Sequence, residues 1–249
     1  MPRNLRVHIS PVGYEFLRIS EPLIKMRADT VYLITYTKDN KKAKDYYNKI
    51  LKELRQNYKH IKVEEVCINI WDLFDCLEKF REIINSDKGN QVYINVSTGT
   101  KITAIAGMMS CMLWNAIPYY APVSYASTDD NTKPPSEFVD EAVILPVYEI
   151  KKPKPEHMLI LNLLQQSGGK LRKSQVIKKL EKLEIIRLKD EKKTSLSEAA
   201  KHSQLRAILN PMENDWKYVK IYSAGRLSEV SITEQVETAL KIFGFDESM

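Results

Sequence analysis

Short apolar, β-branched runs alternate with helix-length amphipathic segments along the first 150 residues. The amphipathic segments include 43–58 and 71–84, where apolar positions recur at the spacing of one helical face. Alternation of this kind predicts an α/β fold, a doubly wound, Rossmann-like and mostly parallel sheet. The strand-like runs are 7–9, 31–36, 63–68, 92–96, 117–125 and 142–147.

The segment 101–114 differs from the other helical segments because it is apolar almost all round. A helix without a polar face needs cover on more than one side. The sheet can cover one side, and we expect a subunit interface to cover another, which predicts a homodimer. The apolar positions are Ile102, Ala104, Ile105, Ala106, Met108, Met109, Met112 and Leu113.

The stretch 149–156 has the composition of a linker between domains. Pro153 and Pro155 stand among lysines there, and each proline fixes its own φ and restricts the residue before it. Neither a strand nor a helix forms easily in such a stretch. We therefore expect two domains, residues 1–150 and residues 151–249.

Toward the end of the chain the hydrophobic period changes from helical to alternating. Two alternating strands flank the turn Ala224-Gly225-Arg226, which predicts a β-hairpin. Three helices followed by a hairpin are the order of a small winged helix-turn-helix domain. The helices are expected at 157–166, 174–183 and 197–210, the last ended by Pro211, and the strands at 218–222 and 227–233.

The excess of positive charge lies entirely in the second domain. Residues 1–150 contain 19 Lys and Arg against 19 Asp and Glu, whereas residues 151–249 contain 19 against 13. An excess confined to one domain favours contact of that domain with a polyanion, although solubility is the simpler explanation. The composition, 43% hydrophobic and 28% charged, is that of a globular chain.

The sequence gives no support to a metal site, a cofactor or a membrane span. The four histidines are scattered, and none has a partner at metal-ligand spacing. The first residues have the pattern of a strand, and the longest apolar stretch is interrupted by Asn115 and Pro118, so we expect neither a leader peptide nor a membrane span. The three cysteines form no CxxC pair and have apolar neighbours, so we expect reduced core residues in a cytoplasmic protein. They are Cys67, Cys76 and Cys111.

The clearest candidate site is the turn Asn95-Val96-Ser97-Thr98-Gly99-Thr100-Lys101, between the fourth strand and the apolar helix. It brings hydroxyl groups, a glycine, the amides of a helix N-terminus and a lysine together, and this chemistry suits a phosphate. It is not a Walker A loop, because the GxxxxGK[ST] spacing is absent. In the structural alternative, Ser97 or Thr98 only caps the helix and Lys101 lies in solvent.

A second loop, Ser10-Pro11-Val12-Gly13-Tyr14, follows the first strand. Its single glycine falls short of GxGxxG, which argues against a dinucleotide-binding dehydrogenase. In a sheet of order 3-2-1-4-5 the strand order reverses between strands 1 and 4, so both loops would meet at one crevice. The ligand-binding residues expected there are Ser10, Pro11, Gly13, Asn95, Ser97, Thr98, Gly99, Thr100 and Lys101.

These loops resemble the CRISPR-associated Rossmann fold family. The resemblance covers Arg6-Val7-His8-Ile9-Ser10-Pro11-Val12-Gly13, Glu21-Pro22-Leu23, Arg27-Ala28-Asp29 and the 95–101 loop. It implies a homodimer whose paired loops hold a cyclic oligoadenylate, most often the tetra-adenylate. The carry-over reaches Ser10, Gly13, Asn95, Ser97, Thr98, Gly99, Thr100 and Lys101, but Thr98-Gly99 stands where many members have two glycines.

The whole chain resembles archaeal members that fuse this sensor to a winged helix-turn-helix, which implies a transcriptional regulator. Two alternatives remain open. Some members of the fold family are metal-independent ring nucleases, in which Ser10 would position the phosphate and Lys101 would stabilise its charge. The third possibility is a nucleic-acid-binding module whose pocket has lost its ligand.

The expected partner of the second domain is double-stranded DNA. The third helix offers Lys201, His202, Gln204 and Arg206, and the hairpin turn offers Arg226. Gln and Arg side chains can bond to base edges, while Lys and the wing arginine can contact phosphate or the minor groove. For any single one of them a solvated surface position is the simpler explanation, so the prediction rests on the group.

Overall fold

The structure, a computed structural model, describes residues 4–36, 41–124, 137–138, 141–187, 197–224 and 227–243. The chain divides into two compact units, Met1–Lys151 and Lys152–Met249. Within the described residues, no helix is both long and apolar enough to cross a membrane.

A six-stranded sheet forms the centre of the first unit, in the order β3-β2-β1-β4-β5-β8. The first five strands of this order run parallel, and the short β8 pairs antiparallel with β5 at the edge. The predicted order 3-2-1-4-5 and the α/β class are thus confirmed. The strands are β1 (Arg6–Pro11), β2 (Thr30–Tyr36), β3 (Lys62–Ile68), β4 (Gln91–Asn95), β5 (Ile117–Tyr120), β6 (Val123–Ser124), β7 (Glu137–Phe138) and β8 (Val143–Ile144), β6 and β7 forming a separate pair.

Four helices connect these strands and bury their apolar faces on the sheet. The helices after β1 and β2 share one apolar cluster with Val31 and Leu33 of β2. The next side chain along this strand, Ile34, is also fully buried and points to the other face, because side chains alternate along a strand. The helices are α1 (Leu17–Lys25), α2 (Lys41–Asn57), α3 (Leu73–Ser86) and α4 (Lys101–Trp114).

Strand β3 lies at one edge of the sheet and presents polar side chains. Lys62, Glu65 and Cys67 are exposed, and Lys62 pairs with Glu64 at 2.8 Å. The prediction that Cys67 is a core residue is therefore wrong, because an edge strand lacks a neighbour on one side. Cys76 and Cys111 are buried, and burial raises the pKa of each thiol to about 12.

The second unit has the element order of a winged helix domain. Its elements are α5 (Pro155–Gln166), β9 (Lys170–Arg172), α6 (Lys173–Lys182), α7 (Glu198–Asn214), β10 (Val219–Ala224), β11 (Leu227–Ile232) and α8 (Gln235–Phe243). The three strands form an antiparallel sheet in the order β10-β11-β9. Leu164, Leu180, Leu205 and Val230, which come from three helices and the sheet, share one buried core.

Two predicted helix boundaries that involve prolines differ from the structure. Helix α7 continues through Pro211 to Asn214, because Met212 lies fully buried in the core beyond the proline. Helix α5 begins at Pro155, inside the predicted linker, since a proline in the first turn of a helix loses no backbone hydrogen bond. Helix α8 and strand β9 were not predicted.

Candidate functional site

The loops after β1 and β4 meet where the strand order reverses. Gly99 has φ +83°, and a Cβ atom there would lie 2.6 Å from Cβ of Pro11 and 2.6 Å from Oγ1 of Thr103. A Cβ atom on Gly13 would lie 2.9 Å from the Gly99 backbone nitrogen. Only glycine permits the two backbones to approach this closely.

The Asn95 side chain holds the base of this junction together. Its Nδ2 donates to Oγ of Ser10 (3.2 Å) and to the carbonyl oxygen of Arg18 (2.8 Å). Its Oδ1 accepts from the backbone N–H of Ser97 (2.9 Å) and from the Ser97 hydroxyl. The Ser97 Oγ in turn accepts from the backbone N–H of Ala121 (2.8 Å). Asn95 and Ser10 are completely buried, so this network is structural.

Two threonine hydroxyls fix the upper part of the same junction. Oγ1 of Thr98 donates to the carbonyl oxygen of Pro11 (2.6 Å), which joins the two loops directly. Oγ1 of Thr100 donates to the carbonyl oxygen of Ile70 (2.9 Å), at the end of the segment that follows β3. Three neighbouring loops are thereby held in one arrangement.

Helix α4 begins at this junction with a capping box. Oγ1 of Thr100 accepts a hydrogen bond from the backbone N–H of Thr103 (3.1 Å). Oγ1 of Thr103 accepts one from the backbone N–H of Thr100 (2.9 Å). Among the described residues, the backbone N–H groups of Lys101 and Ile102 have no acceptor. Free amides at a helix N-terminus bind anions, because the helix dipole adds to the hydrogen bonds.

A cavity of about 700 Å³ opens beside these amides. Both Lys101 and Ile102 line it, together with the backbone of Gly13 and Gly99. Four aromatic side chains and a second cation, Lys44, complete most of the wall. The aromatic residues are Tyr14, Tyr36, Tyr47 and Trp71, of which Trp71 is 63% exposed.

A carboxylate on β3 adds a negative charge to the wall of the cavity. Oε1 of Glu65 accepts from the Thr35 hydroxyl (3.2 Å), and Thr35 lies beside Sγ of Cys67 (3.1 Å). Burial, followed by the charge of Glu65 and a hydrogen bond to it, raises the pKa of Tyr47 to about 12. The cavity thus combines aromatic surfaces, two lysines, free amides and one carboxylate, a set suited to a nucleotide.

The predicted ligand-binding residues fall into two groups in the structure. Gly13, Gly99, Thr100 and Lys101 line the cavity. The remaining five, which do not line it, hold the loops or the strand ends in place: Ser10, Pro11, Asn95, Ser97 and Thr98. Because the Ser10 hydroxyl is buried beneath the junction, the structure adds no support to its role in a ring nuclease.

Several cavity residues were missed by the sequence analysis. Tyr36 ends β2 and Trp71 follows β3, whereas Glu65 lies in the middle of β3. Lys44 and Tyr47 lie on α2. The available signal was positional, because the carboxyl ends of neighbouring parallel strands converge on one site. Trp71, an aromatic residue directly before a helix, is the residue that this rule could have identified.

A neutral histidine lies below the junction on β1. His8 is fully buried, stacks on Tyr93 at 4.9 Å and meets the edge of the Tyr119 ring at 5.5 Å. Burial, with the nearby Arg6 charge, lowers the pKa of His8 to about 3, against a smaller opposing effect of Asp29. No group of His, Cys, Asp and Glu suited to a metal ion occurs among the described residues.

Helix α7 of the winged helix domain carries four of the predicted DNA contacts. Lys201 forms ion pairs with Glu181 (2.8 Å) and Glu198 (3.0 Å), and its side chain is 18% exposed. Nε2 of Gln204 donates to the carbonyl oxygen of Arg187 (3.1 Å). In this conformation both side chains are occupied within the domain.

The other predicted contacts on α7 are more accessible. His202 and Arg206 are exposed, one helical turn apart, and Ser203 and Ala207 beside them are also exposed. Arg226, the predicted wing contact, lies outside the described residues.

Two family models match the chain. A model described as HFX_2341_N-like, N-terminal, matches residues 6–125, and the DUF6293 C-terminal winged helix domain matches residues 156–244. A curated relative, the uncharacterized protein MJ1513 of Methanocaldococcus jannaschii, is 38% identical over 125 residues. That alignment covers 46% of this chain and 37% of the relative.

The chain is also similar to solved structures of low identity. Can2 from Sulfobacillus thermosulfidooxidans, in complex with cyclic tetra-adenylate, is 13% identical with a TM-score of 0.39, over 96% of this chain and 64% of that one. Csm6 from Enterococcus italicus, bound to cyclic hexa-2'-fluoro-hexa-dAMP, is 13% identical with a TM-score of 0.40, over 48% and 34%. The chain spans less than two thirds of each of these proteins and of the curated relative.

The fold and the C-terminal family match agree on the architecture of the chain. It joins an α/β domain with a mostly parallel six-stranded sheet to a C-terminal winged helix domain.

Proposed function

We propose that the protein is a ligand-responsive DNA-binding regulator. Its α/β domain binds a cyclic oligoadenylate, and its winged helix domain binds duplex DNA. The proposed ligand binding rests on the pair of free backbone amides at Lys101 and Ile102. These two residues lie on the wall of a cavity that is lined by two lysines. This arrangement matches the phosphates of an oligonucleotide, and the aromatic side chains match its bases.

The ring of four nucleotides, the tetra-adenylate, is the ligand that the resemblance of the 6–13 and 95–101 loops implies. A cavity of about 700 Å³ is in the range of sites for ligands of drug size. A ring of four nucleotides is larger, so we propose that the cavities of two subunits share one ring. Ligand binding then changes operator affinity, because the ligand favours one of two arrangements of the dimer.

The dimer interface that we propose lies on α4 and the segment after β8. Ile105 on α4 is 50% exposed, and Tyr148 is 78% exposed. The two elements are neighbours, since the backbone N–H of Ile150 donates to the carbonyl oxygen of Met112 (3.2 Å). A second copy of the chain would remove this apolar surface from water.

Sedimentation of the full chain tests the interface. Ile105→Arg should convert the dimer to a monomer, because it places a charge in the apolar contact. Leu183→Arg is the control, since Leu183 is equally exposed but belongs to the winged helix domain. A dimer that persists in Ile105→Arg, or a wild-type monomer at micromolar concentration, would reject this interface.

Calorimetry with cyclic tetra-adenylate tests the ligand half. We expect one ligand per two chains, and an affinity that falls about 10- to 100-fold in Lys101→Ala, since a charge-assisted hydrogen bond contributes about 1.5–3 kcal/mol. Lys88→Ala, at an exposed lysine outside the cavity, is the control. Absence of binding would favour a module without a ligand, and conversion to a linear product would favour the ring nuclease.

The proposed DNA binding rests on the winged helix domain and on its six excess positive charges. Affinity for duplex DNA should fall steeply with salt, because each neutralised phosphate releases counterions. Fluorescence anisotropy on random duplex and on the protein's own promoter, with and without cyclic tetra-adenylate, measures binding and coupling together. A protein of this function acts in the cytoplasm, where its three free cysteines stay reduced.

A further inference from the structure

The sheet of the winged helix domain has an inner face and a solvent face. Leu171, Val230 and Ile221 lie opposite one another on the three strands and contribute to the core. Because strand side chains alternate, the neighbouring positions point to solvent. We call these the outer sheet face, defined by Lys170 and Arg172 on β9 and by Lys220 and Tyr222 on β10.

Strand register brings the three cations of the outer sheet face together. Lys220 and Lys170 flank Ser231 in one cross-strand row, and Tyr222 and Arg172 flank Glu229 in the next. Strands lie about 4.8 Å apart, so the two lysines are separated by about 10 Å, and Arg172 is about 7 Å from Lys170 along β9. Such spacing lets one patch contact several phosphates.

The charge on this face is available to a partner. Lys170, Arg172 and Lys220 are exposed, and none of them forms an ion pair with a carboxylate of the described residues. Tyr222 is 58% exposed. Arg and Lys side chains, with a tyrosine hydroxyl, are donors that proteins use on DNA phosphates.

Helix α7 offers much less free positive charge. Lys201 is paired with two carboxylates, and Arg206 is the exposed arginine that remains on the helix. The contacts that neutralise phosphates must therefore come mainly from another surface of this basic domain.

We infer that the outer sheet face is a binding surface for the phosphate backbone of duplex DNA, which α7 alone does not supply. The inference rests on the proposed DNA-binding function and assigns its electrostatic part to β9 and β10. Contacts of this kind position the protein without reading sequence. They should therefore contribute equally on every duplex.

Anisotropy titrations of the full chain over a range of salt concentrations test the inference. In the sheet variant, Lys170→Gln, Arg172→Gln and Lys220→Gln are combined. We expect at least tenfold weaker binding to random duplex at low salt and a salt slope smaller by about 2–3 units, close to 0.9 per lost phosphate contact. Tyr222→Phe, which removes only a hydroxyl, should weaken binding about two- to threefold.

The matched control removes the same charge from another exposed surface of the domain. It combines Lys178→Gln, Lys179→Gln and Lys182→Gln on α6, where all three lysines are exposed. Thermal unfolding of both triple variants checks that the domain remains folded.

Three outcomes decide the inference. The inference is supported if the sheet variant loses much more affinity for duplex DNA than the α6 variant does, and if its salt slope also decreases much more. Equal losses in the two triple variants would overturn it while leaving DNA binding intact, because the effect would then be one of net charge. Wild-type protein that fails to bind duplex at low salt would overturn the proposed DNA function as well.

Discussion

The β1–β4 loop junction and helix α7 show two ways of arranging polar residues at a candidate binding surface. At the junction, Asn95 and Thr98 are occupied in joining the loops, and the groups left free are backbone amides. On α7, Lys201 and Gln204 are occupied within the domain, and the groups left free are the side chains of other residues on the same helix. The junction presents its backbone to a ligand, whereas α7 presents side chains.

The difference predicts where mutations act. Backbone groups cannot be removed by substitution, so changes at the junction should act first on folding and through it on ligand binding. Exposed side chains on α7 contribute little to folding, so changes there should act on DNA alone.

The largest effect is expected from Gly99→Ala. A Cβ atom at this position would collide with Pro11 and Thr103 in addition to the strain of φ +83°. We expect the free energy of unfolding to fall by roughly 3 kcal/mol or more, from backbone strain and overpacking together. Chemical denaturation of the full chain, with the unfolding of the α/β domain as the readout, measures this decrease.

Gly89→Ala is the matched control for that experiment. Gly89 also has a positive φ, of +98°, but a Cβ atom there would meet nothing within 4 Å. Strain alone should cost about 1–2 kcal/mol. An equal decrease in the free energy of unfolding in the two variants would mean that the close approach of the loops contributes nothing to stability.

A pH effect of intermediate size should come from His8 below the junction. Its pKa is about 3 in the folded protein and about 6.5 in the unfolded chain, so only the unfolded state gains a proton between these values. The contribution of His8 to stability is therefore fully present above pH 6.5 and declines as the pH falls toward 3. Through this group, the free energy of unfolding should decrease by about 2 kcal/mol from pH 7 to pH 5.

His8→Phe isolates this contribution, because phenylalanine keeps a buried ring and cannot titrate. Denaturation curves of wild type and variant at pH 7 and pH 5 give the difference directly. An identical pH dependence in both proteins would show that the imidazole is not kept neutral by burial.

The smallest effect is expected on α7, where Arg206→Gln and Lys201→Gln remove the same charge from the same helix. Arg206→Gln should weaken binding to the preferred operator about tenfold, within the roughly 1–3 kcal/mol of a base contact, and change stability little. Lys201→Gln should instead reduce stability slightly, because it breaks two partly exposed ion pairs. DNA affinity that falls equally in both variants would contradict the assignment.

The sequence predicted the α/β fold because its signal is local. The 31–36 and 92–96 runs are apolar over the length of a strand, and α4 begins at Lys101 as expected. Its cap is Thr100, however, and not Ser97 or Thr98. The sequence pattern did not predict helix α8, because this helix follows the hairpin closely and packs on α5. Residue spacing does not reveal such a contact.

The site was only partly predictable, because a side chain's direction depends on distant residues. The hydroxyl of Ser10 suits a ligand as well as it suits Asn95, and only the pairing of β1 with β4 decides between them. Lys201 finds its carboxylate Glu181 in a separate helix. The DNA contacts of Lys201, His202, Gln204, Arg206 and Arg226 stay predictions, as does the ligand.

Strand β3 also affects how the protein behaves when it is concentrated. A sheet edge exposes unpaired backbone groups and can recruit an extended segment from another molecule. Lys62, Glu64 and Glu65 place charged side chains along this edge, and charged side chains on an edge strand disfavour such pairing. We therefore expect this edge to resist aggregation, and the same strand supplies Glu65 to the cavity.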